Sequence, residues 1–163
     1  MSMPTETSQY LTFKLDQELY ALDIGKVREV LEFSAATRVP RMPEFMRGVI
    51  NLRGNVVPVV DLKLKLGLPR TERTIDTCVV ITEVEIDGET TVLGALADSV
   101  QEVVELEAGQ IDPPPRMGTR INSDCIRGMG KRDEQFVILL DIDQVLSADD
   151  LKVVASSAEA PVS

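Results

Sequence analysis

Residues 47–62, RGVINLRGNVVPVVDL, return in degraded form as residues 127–142, RGMGKRDEQFVILLDI. The offset is a constant 80 residues, and it matches Arg47-Gly48 with Arg127-Gly128, Val57 with Val137, and Asp61 with Asp141. A weaker echo precedes each block: VREVLE at 27–32 aligns with VQEVVE at 100–105, at an offset of 73. The chain thus reads as two copies of one small β unit. A duplication creates a seam between its copies, and seams are natural docking sites.

Working outward from the repeat, the local grammar is that of short strands. Residues 9–15 alternate apolar and polar, as a half-buried strand does. Asp16-Gln17 reads as a turn, residues 18–22 as the returning strand, and 24–27 as a short turn of helix leading into a strand at VLEF. Pro40 and Pro43 break regular pairing, and Pro43 predicts a short helix over PEFM (43–46). The strands GVIN (48–51) and VVPVVD (56–61) are joined around Arg53-Gly54-Asn55, with Gly-Asn expected to supply the positive φ of a tight hairpin. Pro58 lacks a backbone donor, so it is expected at a sheet edge or bulge.

The second half repeats these elements. Two long runs at 76–86 and 89–97 flank Asp87-Gly88, a strong hairpin signal. A strand at 100–106 follows, then a loop marked by the prolines at 113–115 and by Gly118. Strands at 125–130 and 135–141 flank residues 132–134. Helical turns are expected at LKLKL (62–66) and at 142–146, with a terminal helix at about 151–157. Roughly ten short strands in two sets of five favour small barrels over an open sheet, and nothing in the order suggests a βαβ fold.

Composition bounds the function. At 163 residues and 44 % apolar content the chain makes one compact domain or two small units sharing an interface. Aromatics are only 4 %, so Val, Leu and Ile must fill the interior. No apolar run reaches the ~18 residues of a membrane span. The first residues carry no secretory pattern, so a cytoplasmic location without direct membrane insertion is expected. Cys78 and Cys125 are far apart and outside any CxxC pair, which predicts buried, reduced thiols. The absence of histidine removes the common zinc sites, Ser-His and Cys-His nucleophile pairs and any phospho-accepting histidine.

The net charge of −10 is uneven: residues 1–66 hold 9 basic and 8 acidic side chains, residues 67–163 hold 8 and 19. This balance argues against a nucleic-acid binder, whose affinity rests on neutralising phosphates. The window 83–112 has nine acids and no Lys or Arg. It is either a solvated acidic face or a patch that steers a basic partner.

A search for chemistry finds no catalytic constellation and no cofactor or metal motif. Asp61 and Asp141 sit at equivalent positions before helical turns, where an N-cap aspartate is expected. Asp23 and Asp98 precede turns and read the same way, and Glu83, Glu85 and Asp87 read as the solvent face of a hairpin. The glycines form no phosphate cradle, and the serines lack a nucleophile context. Arg53 stands apart. At a hairpin tip beside Gly54 it is either a solvated turn residue or a guanidinium that reaches a partner.

The chain resembles the CheW family of bacterial chemotaxis coupling proteins. The matching text is QYLTFKLDQELYALDIGKVREVLEF (9–33), TRVPRMPEFMRGVINLRGNVVPVVDLKLKLGL (37–68), VLGALADSVQEVVELEAGQIDPPP (92–115) and IRGMGKRDEQFVILLDIDQVL (126–146). The resemblance covers about residues 8–150, with tails at 1–7 and 158–163. It implies an all-β fold: two SH3-like five-stranded barrel subdomains, intertwined around a shared hydrophobic core, with short helical turns and a C-terminal helix. The seam is then expected near 66–76 and at the chain ends.

The resemblance also implies a non-enzymatic adaptor without cofactor. Its partners would be the regulatory domain of the histidine kinase CheA, the cytoplasmic tip of chemoreceptors and further CheW copies in rings, with recruitment to the inner membrane face through receptor arrays. In the family the receptor tip docks between the barrels. Val27 and Glu29 fall on the element IGKVREV (24–30), and Gly48, Val49, Arg53 and Gly54 on the strand and hairpin ending in NLRG (51–54). Val27 and Val49 are expected as groove floor or as ordinary core, Glu29 and Arg53 as rim.

Other readings remain beside this one. A CheV-like or CheA-like protein would carry a receiver domain or a phosphotransfer domain and ATPase, and neither is expected here. An adaptor of another chemosensory output, such as pilus motility or gene regulation, shares the same sequence features. A ligand-binding or enzymatic double barrel would bring Asp61 and Asp141 into one cleft.

Overall fold

The computed structural model describes residues 7–33, 35–38, 40–86, 88–112, 126–132, 135–146 and 150. The expected C-terminal helix at 151–157, the loop at 113–118, residues 1–6 and 158–163 of the expected tails, Asp87 and Cys125 lie outside the described residues, whereas Thr7, expected in the tail, opens the first strand. In chain order come β1 (Thr7–Leu15), β2 (Glu18–Asp23), a 3-10 turn (Ile24–Lys26) and β3 (Val27–Glu32). Then follow β4 (Met46–Leu52), β5 (Asn55–Asp61), α1 (Leu62–Lys65), β6 (Cys78–Ile86), β7 (Glu89–Ala97) and β8 (Ser99–Glu107). A second 3-10 turn (Ala108–Gln110) leads to β9 (Ile111–Asp112), β10 (Ile126–Arg132), β11 (Gln135–Leu140) and α2 (Ile142–Val145).

The strands form two sheets, ordered β8-β1-β2-β11-β10-β9 and β3-β6-β7-β5-β4. These sheets do not follow the two halves of the chain. The sequence repeat equates β3 with β8, and β4-β5-α1 with β10-β11-α2. Yet the hairpin β1-β2 joins β8, β10 and β11, through β1 against β8 and a parallel pairing of Ala21 with Leu139. The hairpin β6-β7 joins β3, β4 and β5, through β6 against β3 and a parallel pairing of Val60 with Ala95. Each copy is completed by the hairpin that precedes the other.

Burial follows this exchange. One apolar cluster fills the barrel of the first sheet (Tyr10, Ala21, Val104, Leu106, Val137, Leu139), and another fills the second (Phe33, Val57, Val59, Val79, Ile81, Leu96). Val57 and Val59 are the repeat equivalents of Val137 and Leu139, so the two barrel interiors are built from the same repeat positions. A third and larger cluster draws Phe13, Leu15, Tyr20 and Leu22 from one sheet and Val60, Val80, Leu93 and Ala95 from the other, closed by α1 and α2. This shared core is aliphatic apart from stacked Phe13 and Tyr20 and the ring of Phe45. The all-β double barrel expected from the sequence is thus present. The sixth strand of the first sheet, β9, is only two residues long, and its counterpart in the second is the isolated bridge between Thr37 and Val49.

Four local expectations need correction. PEFM is a turn, not a helix: Met46 N–H donates to the Pro43 carbonyl at 3.0 Å, and β4 begins at Met46. The Phe45 carbonyl accepts from Asp61 N–H at 2.7 Å, which ties the segment to the sheet. At the β4–β5 hairpin the positive-φ residues are Arg53 (φ 51°) and Gly54 (φ 89°), and Asn55 is already in the strand. Pro58 lies on β5, an interior strand. The two-residue turn makes Leu52–Asn55 a hydrogen-bonded pair, so alternation leaves Pro58 opposite Val49 in a non-bonded pair. Val49 accordingly exchanges its bonds with Thr37, at 2.8 Å each, and the parallel ladder to β7 starts only at Val59. Finally, Cys78 is half-buried rather than buried, donates its thiol to the Asp76 carbonyl at 3.2 Å, and has its pKa pushed up by burial.

Candidate functional site

β3 and the β4–β5 hairpin lie at opposite sides of the second sheet, and its curl brings them together. A bulge between Val27 and Glu29 separates two side chains that a regular strand would place on one face. Val27 packs half-buried against the shared core, whereas Leu31 and Phe33 belong to the barrel interior. Glu29, two residues before Leu31, points to the same side at the barrel mouth. There it meets Arg53. Arg53 Nη1 donates to Glu29 Oε1 at 3.3 Å, and Nη2 donates to Oε2, a two-pronged contact that suits the planar guanidinium.

The electrostatics follow from this contact. The Arg53 guanidinium holds the Glu29 carboxyl below the usual carboxylate range, and Glu29 in turn raises the arginine pKa. The backbone tip is fixed too. Asn51 Oδ1 accepts from Gly54 N–H at 2.8 Å, and Arg53 holds a left-handed conformation that side-chain-bearing residues adopt rarely. The ion pair rims a groove whose floor is Val57, Ile81 and Val92, with Leu52 beside Arg53 and Thr90 and Thr91 opposite. A second pair, Arg28 with Glu83, lies at the same end.

Of the residues singled out in the sequence, Glu29 and Arg53 come into direct contact. Gly54 completes their turn, exposed and with open space around it. Val49 and Gly48 are buried, and neither lines the groove. Gly48 serves a close approach instead: with φ 142°, a Cβ there would sit 2.4 Å from the Thr37 carbonyl oxygen. Ile81 and Val92 were not legible as groove residues, because they belong to a hairpin remote in sequence. Only the β3–β6 and β6–β7 registers bring them under Glu29.

The aspartates are structural. Asp61 is fully buried and accepts from Lys63 N–H (3.2 Å), Thr71 N–H (2.9 Å) and the Thr71 hydroxyl (2.7 Å), with Arg47 at 3.7 Å. Asp141 caps α2 by accepting from Asp143 N–H at 3.1 Å. The two carboxylates therefore stand at separate helix starts, at the ends of strands in different sheets. Asp23 accepts from Gly25 N–H at 2.8 Å, a local cap. Asp98 is different: it accepts from Asp16 N–H at 2.7 Å and lies 3.4 Å from buried Lys63, so it braces the β1–β2 turn. Glu83 is paired with Arg28 rather than simply solvated.

The seam between the barrels has its own polar tie. The Asp143 carboxylate accepts from Glu85 N–H at 3.1 Å and pairs with Lys26 at 2.8 Å, which raises the lysine pKa. This links α2 to β6 and to the 3-10 turn that precedes Val27. Among the described residues no cluster of three or more acidic or cysteine side chains is placed to hold a metal.

Comparison with known proteins adds an independent line. Residues 9–150 match the model of the CheW-like domain. The chain is 32 % identical over 155 residues to the chemotaxis protein CheW of Klebsiella aerogenes, covering 95 % of this chain and 91 % of that one. It is 31 % identical over 144 residues to the chemotaxis protein CheW of Helicobacter pylori, covering 88 % and 84 %. The crystal structure of the scaffolding protein TtCheW from Thermoanaerobacter tengcongensis superposes with a TM-score of 0.77 at 33 % identity, covering 87 % of this chain and 89 % of that one.

Proposed function

The chain belongs to the CheW family of non-enzymatic scaffold proteins, and from that membership we propose that it couples chemoreceptor cytoplasmic tips to the regulatory domain of the histidine kinase CheA. The receptor tip is a helical hairpin, and it docks at the rim formed by Glu29 and Arg53. Val27, Gly48, Val49 and Gly54 hold the surrounding backbone in place. Further copies of the chain join the same assembly, at the inner face of the membrane.

The observation that carries this reading is the Glu29–Arg53 clasp over an apolar floor. A helix lying in a groove needs apolar seats for its i, i+3 and i+4 side chains and charged groups at the rim for orientation. The clasp supplies both charge signs, and its arginine is 69 % exposed. The test is reconstitution of the chain with CheA and receptors in membranes. Receptor-coupled kinase activity is expected to rise with the chain present and to fall back with Arg53→Ala. No rise with any receptor tried would reject the coupling role.

A further inference from the structure

Beside α1, Arg38, the segment from Met42 to Arg47 and Arg70 enclose a concavity that shares no lining residue with the Glu29–Arg53 groove. Its floor is apolar: Met42, Met46 and Leu64. Its walls carry three guanidinium groups, Arg38, Arg47 and Arg70, and one carboxylate, Glu44. Arg47 is the fixed member. Its side chain is 16 % exposed, donates to the Thr71 carbonyl at 2.9 Å and lies 5.7 Å from the centre of the Phe33 ring. Burial, and then the neighbouring charge of Arg70, push its pKa down, as expected where like charges share a partly desolvated site.

The local charges do not cancel. Asp61 lies beneath Arg47, but its oxygens are already taken by Lys63 and Thr71. Arg38 and Arg70 form no ion pair with any other described residue. Three guanidiniums against the carboxylates of Glu44 and Asp61 leave one positive charge, on a chain whose net charge is −10. One added carboxylate balances the site, whereas a phosphate dianion overshoots it. The apolar floor points the same way, since an inorganic anion leaves it unused. Arginine and methionine are the residues that protein interfaces favour, and methionine adapts to varied side chains.

We propose that this concavity docks an acidic segment of a protein partner: a carboxylate side chain bridges Arg38 and Arg70, and an adjacent aliphatic side chain seats on Met42, Met46 and Leu64. The site is independent of the receptor groove and stands or falls separately from it.

The test uses the full chain with 13C-labelled methionine methyls, titrated with a peptide of alternating glutamate and leucine and with its glutamine counterpart. The Met42 and Met46 resonances are expected to shift saturably with the glutamate peptide and not with the glutamine one. Arg38→Glu and Arg70→Glu are expected to weaken binding by about tenfold each, the scale of a lost charge-assisted contact. Lys131→Glu, an equal charge change on exposed β10, is expected to leave it unchanged. Both arginines are exposed, and an unchanged methyl spectrum of the free variants reports that they fold. Equal shifts with the glutamine peptide overturn the proposal. So does equal weakening by Lys131→Glu, or inorganic phosphate shifting the same methyls as tightly as the peptide.

Discussion

Gly48 passes so close to Thr37 that a single methyl group on its α-carbon would sit 2.4 Å from the threonine carbonyl oxygen. The same device recurs one repeat later, where a Cβ on Gly128 would meet Ile111 at 2.6 Å and the Asp112 carbonyl at 2.8 Å. In both places β4 or β10 is bulged at the Arg-Gly pair and crossed by a short extended segment. Gly48→Ala is expected to cost about 2–4 kcal/mol, since a backbone oxygen cannot yield as a flexible side chain does. Gly54→Ala meets nothing within 4 Å and strains only its φ of 89°, so about 1 kcal/mol is expected. Denaturant melts of the two variants check the contrast, and equal losses would remove close approach as the reason for Gly48.

Arg53→Ala removes the exposed partner of Glu29 without opening a cavity. Pull-down with receptor tips is expected to weaken while the melting temperature moves by no more than a few degrees. Val27→Ala is expected to weaken the same pull-down through loss of half-buried packing beside the 3-10 turn. Full receptor binding by both folded variants would discard the assigned rim and its support.

The Glu29 carboxyl titrates below its unfolded value because Arg53 hydrogen-bonds the charged form. A lowered folded pKa gives a contribution that is present above the unfolded pKa and lost as pH falls through the folded one. The clasp is therefore closed at neutral pH and opens only in acid, below the ordinary carboxylate range. Carboxyl NMR of Glu29 is expected to show a midpoint below that of the Arg53→Ala variant. Coincident midpoints would mean that the pair does not persist in solution.

Asp61 and Asp141 occupy the same repeat position but carry different loads. Asp61→Ala leaves Thr71 N–H without its partner and Arg47 without its nearest carboxylate. A loss of about 3 kcal/mol or more is expected for such a buried, multiply bonded charge. Asp141→Ala removes an N-cap bond in a part-buried setting, for which about 1 kcal/mol is expected. Calorimetry of the two variants decides, and equal costs would contradict the asymmetry.

Much of this architecture was legible because the repeat carries its own structural logic. Most strand positions, the Asp16-Gln17 turn and both helix-capping aspartates follow from alternation, turn chemistry and capping, all local effects, whereas strand ends shift: β3 opens at Val27 rather than at VLEF, and β4 at Met46 rather than Gly48. Glu29 and Arg53 were legible as residues but not as a pair, since their meeting depends on how the sheet curls. Pro58 misled because its lost donor was weighed strand by strand, whereas the alternation of bonded pairs had already placed it where no bond is made. PEFM misled because a favourable first-turn proline was outweighed by the burial of Phe45 and Met46. The Arg38–Arg70 concavity left no trace in the sequence beyond scattered arginines.

The traded hairpins imply that neither half of the chain is a folding unit. A cut within the exposed stretch 72–76 would separate two fragments in sequence, yet each would still hold two strands that the other needs. The nicked protein should persist as a tight non-covalent complex, and neither fragment should fold when expressed alone. The same logic runs backwards in evolution: a gene encoding one repeat would have produced a two-fold symmetric dimer, and fusion of two such genes would have freed the copies to diverge. A charged clasp at one tip, with a different sequence at the other, is what that freedom permits.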